Sequence, residues 1–247
     1  YAENNISLDG MLDEVEIFDR ALSQPEVQSI YNADSAGKCK PQCTPPPPQM
    51  VAWWPGDDSG EDLIGPNDAK LMNGAAYAPG KVLNGFRLFG GASVVEIPDT
   101  PTWALGTGEF TIDTWVKLNG QLDNPVLPGP QALVAHDDGG GSQNKWIFWF
   151  NNQQLQLHYN DSGGNTTYIG VPFVPDYETW YHVAVTRSGS VYKFYVNGAQ
   201  IGEDQINQTA VPASSAPLTI GKAEEIPSIY GQIDEVELFQ RALGSTE

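Results

Sequence analysis

The first 26 residues of this chain reappear as its last 26, at an offset of 221 positions that carries Asp13 onto Asp234 without a gap. Thirteen of the 26 positions are identical, among them Asp13, Glu14, Val15, Glu16, Phe18, Arg20, Ala21 and Leu22. The later copy reads Ile-Asp-Glu-Val-Glu-Leu-Phe-Gln-Arg-Ala-Leu from Ile233 to Leu243. Self-similarity at one long period points to a window on a tandem array. Residues 1–37 are then expected to be the closing strand and short helix of a preceding repeat. Ser23-Gln-Pro-Glu26 is a capping box with proline in the first turn, which predicts a helix through about Tyr31 that ends near Ala36-Gly37. Residues 244–247 repeat the start of that signal, and with no initiator Met at Tyr1 the chain is expected to be a mature or excised piece. A strand over residues 6–18 would offer an open edge, and its expected partner is a neighbouring copy, in the same polypeptide or in a fibre.

Residues 38–49 form a linker. Cys39 and Cys43, the only cysteines, are expected to close a small disulfide loop, because two thiolates alone leave a zinc shell incomplete. Pro45 to Pro48 should add a polyproline II spacer of about 3.1 Å per residue. Four sequons at Asn5, Asn160, Asn165 and Asn207 are candidate glycosylation sites and, with the disulfide, favour an extracellular setting. A formal charge of −19 makes nucleic acid and anionic membranes poor partners. No apolar run approaches the ~20 residues a spanning helix needs, so membrane insertion is not expected.

Residues 50–243 form the body. Short apolar runs alternate with turn residues, as in Phe110–Leu118, Lys145–Phe150, Trp180–Arg187 and Val191–Val196. Along Trp180–Arg187, Val183 and Val185 share one face while His182 and Thr186 share the other. Asn197-Gly198 is a type I′ hairpin turn signal. The expected fold class is all-β: an antiparallel β-sandwich, preceded by the short strand–helix segment. Lys145–Phe150 is apolar on both faces, so one set fills the core and the other is covered by a loop, a neighbour or a ligand. Trp146, Trp149 and Tyr159 are therefore candidate sugar-binding aromatics.

Six motifs run in order through this body: Val51–Gly60, Gly108–Val116, Trp180–Thr186, Phe194–Gly198, Leu218–Gly221 and Ile233–Val236. Together they resemble the laminin G-like jelly-roll domains of the concanavalin A-like lectin/glucanase superfamily, in the form common in bacterial surface proteins. The resemblance implies two curved antiparallel sheets of about a dozen strands. It implies that Trp115 and Trp180 are structural. It also implies a structural Ca²⁺ between the first loop and the last strand, which makes Asp57, Asp58, Asp62 and Asp234 the candidate ligands. The glucanases of this superfamily carry Glu-x-Asp-x-x-Glu, and the nearest stretch here is Gln232-Ile-Asp-Glu-Val-Glu237, with Gln232 at the nucleophile position. Enzymatic activity is accordingly not expected unless a second carboxylate faces Glu237 across a cleft. The expected function is a non-enzymatic extracellular structural or adhesive repeat module, with neighbouring copies as partners. A carbohydrate-binding lectin module is the alternative.

Overall fold

The computed structural model describes residues 20–25, 27–28, 46–120 and 129–244. They belong to two units, Tyr1–Pro46 and Pro47–Glu247. In the first, Gln24, Pro25, Val27 and Gln28 are helical, and the Val27 N–H donates to the Ser23 carbonyl at 3.1 Å. This is the opening turn that the capping signal predicts. The strand expected over residues 6–18, the rest of that helix, Asn5, Cys39, Cys43 and residues 245–247 lie outside the described residues.

The second unit is a sandwich of two antiparallel sheets. Its strands are β1 (Met50–Trp54), β2 (Lys70–Met72), β3 (Ala76–Pro79), β4 (Asn84–Phe89), β5 (Val94–Ile97), β6 (Phe110–Leu118), β7 (Gln131–Asp137) and β8 (Lys145–Asn151). There follow β9 (Gln154–Asn160), β10 (Thr166–Pro172), β11 (Trp180–Ser188), β12 (Val191–Val196), β13 (Ala199–Ile206), β14 (Leu218–Ile220) and β15 (Tyr230–Phe239). One sheet, A, has the order β13-β12-β11-β6-β15-β4-β3, with β1 also paired to β15. The other, B, has the order β10-β9-β8-β7-β14-β5-β2. The apolar runs Phe110–Leu118, Lys145–Phe150, Trp180–Arg187 and Val191–Val196 all lie in strands. The strands β2, β3 and β13 are additional, and β13 (Ala-Gln-Ile-Gly-Glu-Asp-Gln-Ile) is a mostly exposed edge with no apolar stripe to announce it. The turn before it has Asn197 and Gly198 at φ 50° and 78°, the doubly positive pair of a type I′ hairpin.

The core lies between the sheets. It takes Val183 and Val185 from β11, Ile112 and Val116 from β6, and Trp146, Phe148 and Phe150 from β8. A buried indole must place its N–H on an acceptor. Trp54, Trp103 and Trp146 donate to the carbonyls of Asn67, Pro98 and Trp103 at 2.9, 3.0 and 3.0 Å. The opposite face of β8 is covered too: Ile147 and Trp149 pack with Ala132, Ala135 and Ala223, and Ile226 lies against them. A loop of the same unit therefore supplies that cover.

β15 is central, and its two edges are used differently. One edge pairs with β6 from Gly231 to Phe239. The other is shared, with β4 against Tyr230–Ile233 and β1 against Val236–Phe239. Where the partner changes, the register slips between Asp234 and Glu237, and Glu235 adopts φ 50°. This is a β-bulge, and it inverts side-chain parity along the strand.

Candidate functional site

The bulge decides what the outer face of sheet A carries. On unbroken alternation Asp234 would share a face with Val236 and Leu238 and enter the core. Instead Ile233, Val236 and Leu238 are core residues, while Asp234 stands opposite Trp115 and Glu237 opposite Asp113. The same register places Trp53 opposite Glu237, and Ala184 and His182 opposite Asp113 and Trp115. A groove of about 580 Å³ follows this face, lined by Trp53, Asp113, Trp115, His182, Glu235 and Glu237, with Leu243 at one end.

Its groups are held tightly. Asp113 is 4% exposed; its Oδ1 lies 3.2 Å from His182 Nε2, while its Oδ2 is buried without a partner among the described residues. Trp53 Nε1 donates to Glu235 Oε2 at 2.5 Å. The His182 ring lies 5.4 Å from that of Trp115, and the Lys81 ammonium stands 4.5 Å from the Trp115 ring centre. Directly opposed residues of an antiparallel pair hold their Cβ atoms roughly 4.5–5.5 Å apart, so Asp113 and Glu237 repel when both are ionised. Burial, then the charges of Asp113 and Glu235, push Glu237 up to about 8. Burial first, reinforced by Asp234, Asp57 and Asp113 and opposed by the Trp53 hydrogen bond, pushes Glu235 up to about 7. Asp113 is also raised, chiefly by burial, against the lowering effect of His182. At neutral pH the cluster therefore holds protons that isolated carboxylates would have released.

The carboxylates expected to bind calcium hold other partners here. Asp234 is fully buried, and its Oδ2 accepts from the Lys81 and Val82 amides at 2.6 and 2.9 Å. The turn approaches closely because Gly80 and Gly85 lie beneath it: a Cβ on Gly80 would stand 2.5 Å from Asp234 Oδ2. Asp57 Oδ1 accepts from the Asn84 amide, Asp58 Oδ2 from the Asn84 side chain, and Asp62 Oδ1 from the amides of Trp53 and Ile64. Among the described residues no three His, Cys, Asp or Glu side chains gather as a metal-binding group, while Asp62 Oδ2 and Asp234 Oδ1 are buried without a partner among those residues.

The aromatic expectations need correction. Trp146 and Tyr159 are core residues, and Trp149 is 4% exposed and stacked on His158 at 5.2 Å. Tyr159 donates to Asn207 Oδ1 at 3.1 Å. None of the three offers a free ring face. Trp115, expected to be structural, instead lines the groove, because Phe110, Ile112 and Val116 take the core side of β6 and leave Thr111, Asp113 and Trp115 outside. That alternation was legible; which outward face stays uncovered was not. Of the glucanase-like stretch Glu235 and Glu237 line the groove, while the Gln232 side chain donates to the Pro79 carbonyl at 2.7 Å. Asp113 is a second carboxylate beside Glu237, on the adjacent strand of the same sheet rather than across a cleft from it.

Among the sequons, Asn160 is 7% exposed and its side-chain amide donates to the Gly141 carbonyl, which leaves no room for a glycan. Asn165 is exposed with its side chain on Asp161, and Asn207 is half-buried.

Two antiparallel sheets around one core, with an open polar and aromatic face, place the protein among the lectin-like jelly-roll sandwiches. The chain belongs to the concanavalin A-like lectin/glucanases superfamily, whose laminin G-like family model matches residues 89–247. Solved structures with the same fold include domain 4 of AbnA, a GH43 extracellular arabinanase from Geobacillus stearothermophilus, in complex with arabinotriose. That likeness has 18% identity and a TM-score of 0.62, and covers 80% of this chain and 95% of that one. The binding domain of Paraclostridial Mosquitocidal Protein 1 is similar at 18% identity and a TM-score of 0.63, covering 80% of this chain and 50% of that one. Botulinum neurotoxin type C, described as entering cells dependent upon interaction with two ganglioside molecules, is similar at 16% identity and a TM-score of 0.60, covering 80% and 49%. The chain thus spans about half the length of the two toxin structures. Among the described residues no helix is long and apolar enough to cross a membrane.

Proposed function

We propose that this chain is an extracellular, non-enzymatic adhesive module that holds a carbohydrate in the groove on the outer face of sheet A. The observation that carries this reading is the groove itself: half-buried Trp53 and Trp115 flank a floor of acceptors, Asp113, Glu235 and Glu237. Sugar sites combine apolar ring faces with a few fixed polar groups. The fold shared with an arabinanase domain in complex with arabinotriose, and with a toxin dependent on gangliosides, supports the same reading. The duplicated segment supports display of such modules in series, with neighbouring copies as partners. Binding to a panel of immobilised glycans, followed by calorimetry on the best ligand, tests the proposal. Trp115→Ala and Asp113→Ala should each weaken binding at least about ten-fold, the scale of one lost stacking or hydrogen-bonding contact. Binding that survives both changes, or no glycan bound at all, would sink it.

Hydrolysis is the second reading, favoured only by Asp113 facing Glu237 across the ladder. Prolonged incubation with the bound oligosaccharide should release no new reducing ends. Release that disappears in Glu237→Gln would replace binding with catalysis.

A further inference from the structure

The groove gathers more carboxyl groups than a neutral sugar can answer. Its floor holds Asp113, Glu235 and Glu237, and Asp234 and Asp57 add to the field on Glu235. Against these stand His182 on β11, bonded to Asp113, and Lys81 from the turn between β3 and β4. From β12, Tyr195 lines the groove, and Lys193 is drawn to Asp204 at 3.6 Å. A buried carboxylate oxygen needs a cation, a donor or a proton, and Asp113 Oδ2 has no donor among the described residues. A cationic group on the ligand would take the place of that proton.

Resting on the carbohydrate reading, we infer that the groove selects a cationic sugar: an oligosaccharide with free, protonated amino groups, in preference to neutral, N-acetylated or acidic glycans. The ammonium would meet Asp113 and Glu237 while the apolar face of the ring lies on Trp53 or Trp115. A bare metal ion fits less well, since no three acidic or histidine side chains converge among the described residues and the space is about 580 Å³. Acidic glycans would add charge to a chain already at −19.

Two consequences separate this from generic sugar binding. Ammonium binding favours the ionised carboxylates, so complex formation at pH 7 releases protons from the cluster. Affinity is also bell-shaped in pH, falling on the acid side as the cluster takes up protons and on the alkaline side as the amine loses its own.

The test is calorimetry of the whole chain with three probes of equal length and linkage: a glucosamine tetramer, its N-acetylated form and a glucose tetramer, in buffers of different ionisation heat. The glucosamine tetramer should bind at least ten-fold tighter than the other two, with proton release. Asp113→Asn and Glu237→Gln should bring all three within about three-fold. Equal or tighter binding of the N-acetylated or neutral tetramer overturns the inference while leaving a sugar-binding groove in place. A lysine-rich peptide that outcompetes the glucosamine tetramer overturns it in favour of a protein partner. If no glycan of any kind binds, the carbohydrate reading falls with it. The comparison in the unmodified chain decides the outcome even if a variant folds poorly.

Discussion

Replacing Glu237 by glutamine should make the protein's stability less sensitive to alkali, and the size of the effect follows from the groove. The Glu237 carboxyl sits at about 8 against an ordinary 4.5. Between those values the folded chain keeps a proton that the unfolded chain releases. Stability from this group is therefore complete below about pH 4.5, drains away as pH rises, and is gone above about 8. Each unit is worth about 1.36 kcal/mol, so the ceiling is roughly 5 kcal/mol. Glu237 retains some solvent and shares its repulsion with Asp113 and Glu235, which brings the expected cost to about 2–3 kcal/mol. For a domain of this size 1 kcal/mol moves Tm by roughly 2–4 °C. Between pH 5 and pH 8.5 the wild-type Tm should therefore fall about 5–10 °C more than that of Glu237→Gln, measured by scanning calorimetry. At pH 5 the two should melt close together, since the carboxyl is then neutral and nearly isosteric with the amide. Parallel Tm curves across the range would mean that Glu237 ionises freely. The opposition of Asp113 and Glu237 would then not hold in solution.

Two further outcomes test the surroundings of the groove. Asp234→Ala removes the acceptor of the Lys81 and Val82 amides and should cost about 2–4 kcal/mol in urea unfolding, whereas a loss under about 0.5 kcal/mol would show that water replaces the carboxylate. Calcium added to chelator-treated protein should raise Tm by less than about 2 °C, because Asp57, Asp58, Asp62 and Asp234 already accept from N–H donors; a rise of several degrees would establish a metal role for them.

Several parts of this architecture are written locally. Alternation of apolar residues along β11 puts Val183 and Val185 on one face, and that face is the core side. The Asn197-Gly198 pair sets its own turn, because both positions need positive φ and these residues tolerate it. The duplicated segment and the order of the six motifs point to the superfamily without any coordinates. The functional surface is another matter. Trp146, Trp149 and Tyr159 are eligible sugar platforms by composition, yet the opposing sheet and the Ala223–Ile226 loop cover them. Asp234 is placed in the core by parity, yet the bulge at Glu235 turns it outward.

The sequence alone determined most of the strands, the inward face of β11 and the sandwich class, because those depend on a two-residue period and on local turn chemistry. The tertiary structure decided which outward face stays open and which acids meet there. Asp113 and Glu237 become neighbours only through the register of β6 on β15, and that register shifts where β15 exchanges β4 for β1 along one edge. A bulge is set by the fit of three strands at once, and a raised pKa by charges distant along the chain. Neither is a property of any short stretch of residues.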